Sequence, residues 1–162
     1  MVRVIQPAGF TRLNLLHIAL NDDFDEVVFL CSPESMNELE YERIVSTAKE
    51  LGSTAKFSRL EVPVIGEGAS VSDLVQNLKD LKDDLSEVET VISTTGGTLK
   101  LGACLNYIFP NNNTVGMNWR EEVFLYSDGN KKPMKKLPEE SIWKIFGLRH
   151  EIQDNTSFLF YG

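Results

Sequence analysis

The chain has 162 residues, of which 42% are hydrophobic and 25% charged, values typical of one globular domain with its own core. No run approaches the roughly 18 consecutive apolar residues of a membrane helix, and the N-terminus lacks a signal-peptide pattern, so we expect a cytoplasmic protein that does not contact membranes. The net charge of −8 argues against binding long DNA or RNA, which requires many Lys and Arg contacts to phosphates.

Strand and helix patterns alternate along the first 120 residues. Short apolar and β-branched runs predict strands, and apolar residues spaced three and four apart predict helices. Predicted strands lie at 2–5, 26–31, 56–64, 89–93 and 114–119, and predicted helices at 13–20, 36–51, 71–85 and 99–108. Ser70 and Asp73 resemble a capping pair at the start of the third helix, and Gly52 is a natural stop for the second.

The pattern changes after residue 120. Two short runs, at 121–126 and 131–136, flank a Ser-Asp-Gly-Asn turn and predict a β-hairpin. A short helix at 138–146 and a last strand at 156–161 follow. We expect residues 1–120 to form the core and residues 121–162 to extend the same domain.

Strands separated by helices predict an α/β fold, a Rossmann-like parallel sheet with helices on both faces and a C-terminal β-hairpin. The expected strand order is 3-2-1-4-5, in which the first and fourth strands are neighbours. Ligands of such sheets bind where the strand order reverses, beyond the carboxyl ends of the strands. The loops at 6–12 and 93–100 therefore face each other across the predicted binding crevice.

The loop after the fourth strand combines hydroxyl side chains with two adjacent glycines and then opens a helix. Such a corner exposes backbone N–H groups at the positive end of the helix dipole, and glycine lets a phosphate approach them. Thr98 as a simple helix cap and Lys100 as a solvated side chain form the alternative interpretation. The predicted ligand-binding residues of this loop are Thr94, Thr95, Gly96, Gly97, Thr98 and Lys100.

Three further segments contribute candidates. In the first loop, Gly9 precedes Phe10, Thr11 and Arg12, which suit base stacking and phosphate contact; Phe10 packed over the first helix is the alternative. After the fifth strand, Asn118 and Trp119, followed by Arg120, offer a stacking surface, with a core or dimer-interface role as the alternative. The basic cluster in the predicted hairpin is either a ligand cover or a solvated face; it comprises Lys131, Lys132, Lys135 and Lys136.

Several familiar sites are missing. The first loop has no G-x-G-x-x-G fingerprint, which argues against NAD or FAD binding, and the chain has no G-x-S-x-G elbow of the kind that many hydrolases use. An ATPase with a Walker motif is not expected either, because Ala103-Cys104 occupies the positions where that motif requires Lys followed by Ser or Thr. Cys31 and Cys104 lie in or beside apolar runs, which predicts buried thiols. His17 also lies within an apolar run, which favours a helix-face or core position over a role in a site. We expect no metal and no cofactor.

The Thr95-Gly96-Gly97-Thr98 turn, with Lys100 one residue beyond Leu99, resembles the hallmark turn of the CRISPR-associated Rossmann-fold (CARF) domain. The Ala8-Gly9-Phe10-Thr11 segment also resembles CARF first loops. The resemblance covers about residues 1–120. It implies a homodimer whose two crevices merge across the two-fold axis and bind cyclic oligoadenylate, the second messenger of type III CRISPR antiviral signalling, with cyclic tetra-adenylate matching that symmetry.

The resemblance also implies two activities. As a stand-alone ring nuclease, the protein would cleave its ligand without metal, by positioning a ribose 2′-OH against the adjacent phosphate. Thr11 would then orient the 2′-OH, and a cation from Lys100, Lys131 or Lys132 would stabilise the developing charge. The alternative is a sensor that binds without cutting, alone or as part of a longer effector; an unrelated doubly wound nucleotide binder is the third interpretation.

Overall fold

The structure, a computed structural model, describes residues 1–9, 12–32, 34–62, 70–93, 95–110, 114–117, 123–127, 130–133 and 137–145. None of the helices in these ranges is both long and apolar enough to cross a bilayer. The elements in chain order are β1 (Val2–Pro7), α1 (Arg12–Ala19), β2 (Glu26–Cys31), α2 (Glu38–Glu50), β3 (Lys56–Glu61), α3 (Val71–Asp84), β4 (Glu89–Ser93), α4 (Leu99–Ile108), β5 (Thr114–Met117), β6 (Val123–Ser127), β7 (Asn130–Pro133) and α5 (Glu139–Ile145).

The strands of the described residues form one sheet in the order β3-β2-β1-β4-β5-β6-β7. The pairs from β3 to β5 are parallel, and β5, β6 and β7 pair antiparallel. The predicted fold class, the 3-2-1-4-5 order and the C-terminal hairpin are therefore confirmed. The predicted last strand at 156–161 lies outside the described residues.

The central strands β1 and β2 are buried on both faces, since successive strand residues point to opposite sides and nearly all of theirs are buried. In β2, Phe29 packs into a cluster with residues of α1, α2 and α5, whereas Leu30 packs into a second cluster with residues of α3 and α4. A strand covered on both faces needs an unbroken apolar run, which is what residues 27–31 provide. Cys31 and Cys104 are buried free thiols as predicted, and burial raises the pKa of Cys31 to about 11.

Side-chain caps determine where the helices begin. Asn37 and Glu40 form a reciprocal capping box at α2, and Ser70 accepts a hydrogen bond from the Asp73 amide at α3, as predicted. Gly52 follows α2 with a φ of 96°, the left-handed conformation that ends many helices. Because Asn37 is the cap, α2 starts two residues after the predicted Met36.

β1 is two residues longer than predicted. Gln6 and Pro7 stay in register with Phe29 and Leu30 of β2, and the Ala8 amide donates to the Leu30 carbonyl at 2.8 Å. This extension carries the polar side chain of Gln6 into the interior of the protein, next to the loop that follows β4.

Candidate functional site

The loops that follow β1 and β4 touch through their backbones. A Cβ atom added to Gly9 would lie 2.8 Å from the backbone nitrogen of Gly97, closer than real Cβ contacts come. The absence of a side chain at Gly9 therefore allows the two loops to approach this closely. The structure thus brings together two loops that the sequence predicts to face each other.

Gly96 and Gly97 form the corner itself. Their φ angles are 94° and 71°, in the left-handed region that side chains disfavour. A Cβ on Gly96 would lie 2.6 Å from the Pro7 carbonyl oxygen and 3.0 Å from Nδ2 of Asn14. Conformation and space thus both require glycine here, so that the corner packs directly on the end of β1.

Buried polar groups support the corner from below. The Gln6 side-chain amide donates to the Pro7 carbonyl at 2.8 Å and to the Thr95 carbonyl. The Ser93 hydroxyl lies 2.8 Å from Oγ1 of Thr95 and accepts a hydrogen bond from the Thr95 amide. Sequence reasoning missed Gln6, Asn14 and Ser93; the only signal for them was a polar residue within or beside an apolar run.

The corner contains hydrogen-bond donors that no described backbone acceptor uses. Within the described part of the chain, neither the Gly96 nor the Gly97 amide donates to a backbone acceptor. Thr98 caps α4 by accepting from the Leu101 amide at 3.2 Å, and its hydroxyl proton can still be donated. Two amides and a hydroxyl therefore lie next to the positive end of α4, and this set of groups suits an anion.

Lys100 lies in the first turn of α4, on the side that faces α3. Its side chain is half-buried and lines a groove of about 500 Å³ between these helices, together with Val75, Ala103 and Tyr107. No group of three metal-ligating side chains comes together among the residues that the structure describes.

Three solved structures resemble this fold. Protein VC1899 from Vibrio cholerae aligns with a TM-score of 0.74 and 12% identity, over 90% of this chain and 39% of its own. Can2 from Sulfobacillus thermosulfidooxidans, in complex with cyclic tetra-adenylate, aligns with a TM-score of 0.69 and 11% identity, over 96% of this chain and 46% of its own. Enterococcus italicus Csm6, bound to cyclic hexa-2′-fluoro-hexa-dAMP, aligns with a TM-score of 0.54 and 16% identity, over 73% of this chain and 33% of its own.

The chain has a CARF-like fold. It spans less than half the length of each of these three structures. No family model and no curated protein sequence matches it. Identities this low establish the CARF-like fold alone, so ligand and activity must be argued from the site.

Within this CARF-like fold, the remaining predicted residues have different positions. Arg12 is the first residue of α1 and follows the crevice residue Gly9 by three positions in the sequence. Lys131 and Lys132 are in β7, three strand positions from β4 and therefore ~14 Å away across the sheet. Other predicted residues lie outside the described residues: Phe10, Thr11, Thr94, Asn118, Trp119, Arg120, Lys135 and Lys136.

Proposed function

We propose that this chain binds a cyclic oligoadenylate, with cyclic tetra-adenylate as the first candidate, in the crevice between the β1 and β4 loops. The observation that carries the proposal is the close approach of Gly9 to the backbone nitrogen of Gly97, at a corner whose Gly96 and Gly97 amides donate to no backbone acceptor among the described residues. Two structures with the same fold, those of Can2 and Csm6, contain cyclic nucleotide rings, which supports this class of ligand.

Each part of such a ligand has a matching group. The amides of Gly96 and Gly97 and the hydroxyls of Thr95 and Thr98 suit a phosphate, whose oxygens only accept hydrogen bonds. Phe10 and Trp119 are proposed to stack on adenine, while Thr94, Arg12 and Asn118 complete the binding set. Few cations are needed because a small ligand can be held by backbone donors, which agrees with the acidic composition.

The proposed ligand-binding unit is a homodimer. α4 exposes Leu99, Ala103 and Tyr107, which are spaced four residues apart and therefore lie along one side of the helix. Leu99 is 92% exposed and Tyr107 69%, and Val71 of the neighbouring α3 is 56% exposed. Pairing this stripe with its copy about a two-fold axis would bury it and present two crevices to one ring.

We further propose that the protein cleaves the ring without metal. In this reaction the ribose 2′-OH loses its proton and its oxygen attacks the adjacent phosphorus. The bond from phosphorus to the 5′-oxygen breaks and that oxygen takes up a proton, so that the products carry a 2′,3′-cyclic phosphate and a 5′-hydroxyl. Thr11 would orient the 2′-OH, and Lys100, Lys131 or Lys132 would stabilise the additional negative charge. The Gly96 and Gly97 amides support this mechanism because they donate to no backbone acceptor among the described residues, so that they could donate to developing negative charge.

Binding without cleavage is the second candidate. The described residues at the crevice are glycines, hydroxyl residues and amides, and include no carboxylate or imidazole that could act as a general base.

One experiment separates these outcomes. The protein is incubated in EDTA with cyclic tri-, tetra- or hexa-adenylate, or with linear tetra-adenylate as a control, and analysed by native mass spectrometry and by chromatography of the nucleotides. We expect one cyclic tetra-adenylate per dimer and its conversion to linear products with a 2′,3′-cyclic phosphate. A bound but intact ring would assign the sensor function, and the absence of binding to all rings would refute the proposal.

A further inference from the structure

Gln6 is an unusual residue for the position it occupies. It belongs to β1 in the centre of the sheet, pairs with Phe29 of β2 and is fully buried. Burying a carboxamide is unfavourable unless its polar atoms are hydrogen-bonded. The Nε2 group is bonded twice, to the carbonyls of Pro7 and Thr95, whereas Oε1 is buried without a partner among the described residues.

These contacts determine which group of the Gln6 carboxamide faces the corner. Two carbonyl oxygens converge on the same side-chain atom, and only the nitrogen can donate to them. One amino group therefore joins the end of β1 to the corner after β4. The carbonyl that it holds in the corner is that of Thr95, the residue immediately before Gly96.

The hydrogen bond to Thr95 also orients the next amide. Among the described residues every peptide bond is trans, and in a trans peptide the C=O and N–H groups point in opposite directions. Because Gln6 draws the Thr95 carbonyl inward, the Gly96 N–H of the same peptide points away from Gln6. Glycine permits this peptide to rotate either way, so that its own conformational preference does not keep the amide outward.

We propose that Gln6 is a positioning residue, which directs the Gly96 amide outward for anion binding by holding the Thr95 carbonyl on the inner side. The proposal deepens the function proposed above and rests on it for the identity of the ligand. The unpartnered Oε1 defines the competing arrangement, in which a rotated peptide turns the Gly96 N–H inward toward that oxygen. The unpartnered Oδ1 of Asn14, also buried, is a second acceptor beneath the corner.

The substitution Gln6→Glu tests this role because it keeps the shape of the side chain and exchanges the donor for an acceptor. Burial and the neighbouring carbonyls raise the pKa of the introduced carboxyl. Above that pKa the carboxylate repels the Thr95 carbonyl and attracts the Gly96 N–H inward. We expect affinity for cyclic tetra-adenylate to fall about 10–100-fold, as when one or two hydrogen bonds to an anion are lost. As the pH drops below that pKa, the protonated carboxyl donates again and affinity recovers.

The pH profile requires a reference and two further variants. The helices next to this position carry charged or titratable groups, which are Arg12 and His17 of α1 and Lys100, Cys104 and Tyr107 of α4. All are present in the wild-type protein, whose profile is therefore the reference. Gln76→Glu makes the same chemical change on the exposed side of α3 and should leave binding unchanged. Gln6→Met removes the donor without adding a charge, so we expect lower affinity and no recovery at low pH.

Amide exchange by NMR supplies a measurement that needs no ligand. In the wild-type protein the Gly96 amide should exchange rapidly with solvent, and in the Gln6→Glu variant it should become about tenfold or more protected at neutral pH. A protected Gly96 amide in the wild-type protein would overturn the inference, and so would unchanged binding by both Gln6 variants. A wild-type protein that binds no ring but has the expected exchange would refute the proposed function and retain the role of Gln6.

Discussion

Gly9 shows how a missing side chain lets two loops meet at the proposed site. The substitution Gly9→Ala places a methyl group 2.8 Å from the Gly97 nitrogen, which is too short for a stable contact. We expect affinity for cyclic tetra-adenylate to fall at least about tenfold, because the methyl covers or displaces a donor amide. The strain should also lower the free energy of unfolding by about 1–3 kcal/mol. Calorimetric titration and urea denaturation measure the two effects.

Gly102→Ala is the matched control for this substitution. A Cβ at Gly102 would meet nothing within 4 Å, and the residue lies inside α4. Alanine there should raise the free energy of unfolding by about 1 kcal/mol and leave ligand affinity unchanged. Equal affinities for the wild-type protein and the Gly9→Ala variant would show that the Gly97 amide does not contact the ligand.

The sequence identified the surface residues of the corner better than the buried ones. Gly96 and Gly97 could be predicted because their effect on the backbone is local. Gln6 and Ser93 could not, because their role depends on which strands become neighbours and on which carbonyl lies above them. A buried polar side chain in a central strand is the sign to look for, since its presence requires hydrogen-bond partners from another part of the chain.

At the scale of single elements, the N-terminus of α4 has two separable tasks. Thr98 caps the helix, and in the proposed function its hydroxyl also donates to the ligand. Thr98→Asp should retain the cap, because Asp is a good N-cap residue, and should abolish measurable ligand binding, because a carboxylate repels phosphate. Thr98→Ala should lower the free energy of unfolding by about 1 kcal/mol and weaken binding less. Urea denaturation and calorimetric titration of the same samples measure stability and affinity.

Asn37 caps α2 in the same way and provides the comparison for α4. Asn37→Asp and Asn37→Ala should repeat the stability effects of the two Thr98 variants without changing affinity, since α2 packs on the other face of the sheet from α4. Strong binding by the Thr98→Asp variant would place the anion somewhere other than this helix end.

Element boundaries were predictable where local signals set them. β2, β4 and α4 have the predicted bounds, because a β-branched run or a capping residue marks each end. The end of β1 was not predicted, because Pro7 and Ala8 are held by Leu30 of a different strand. Tertiary pairing, which a local pattern does not contain, thus extends the strand that carries Gln6 to the site.

At the scale of the whole molecule, strand order came from a general rule about open parallel sheets and not from any one segment. That rule sufficed to predict that the β1 and β4 loops meet. It gives no distance across the sheet, and β7, which carries Lys131 and Lys132, lies three strands from β4. These lysines can stabilise charge on a ligand only if β7 itself comes close to that ligand, for example a ligand shared with the second subunit of a dimer.

The dimer predicts the effect of a charge on the exposed stripe of α4. Tyr107 lies in the last turn of the helix, where a cation is favourable, so that Tyr107→Lys should fold normally. Two such lysines would repel each other across a two-fold axis, so we expect a monomer with at least about tenfold weaker binding of the ring. Leu39→Lys is the control, since Leu39 is 55% exposed on α2. Light scattering and calorimetric titration test this; a wild-type protein that stays monomeric with bound cyclic tetra-adenylate would contradict the dimer.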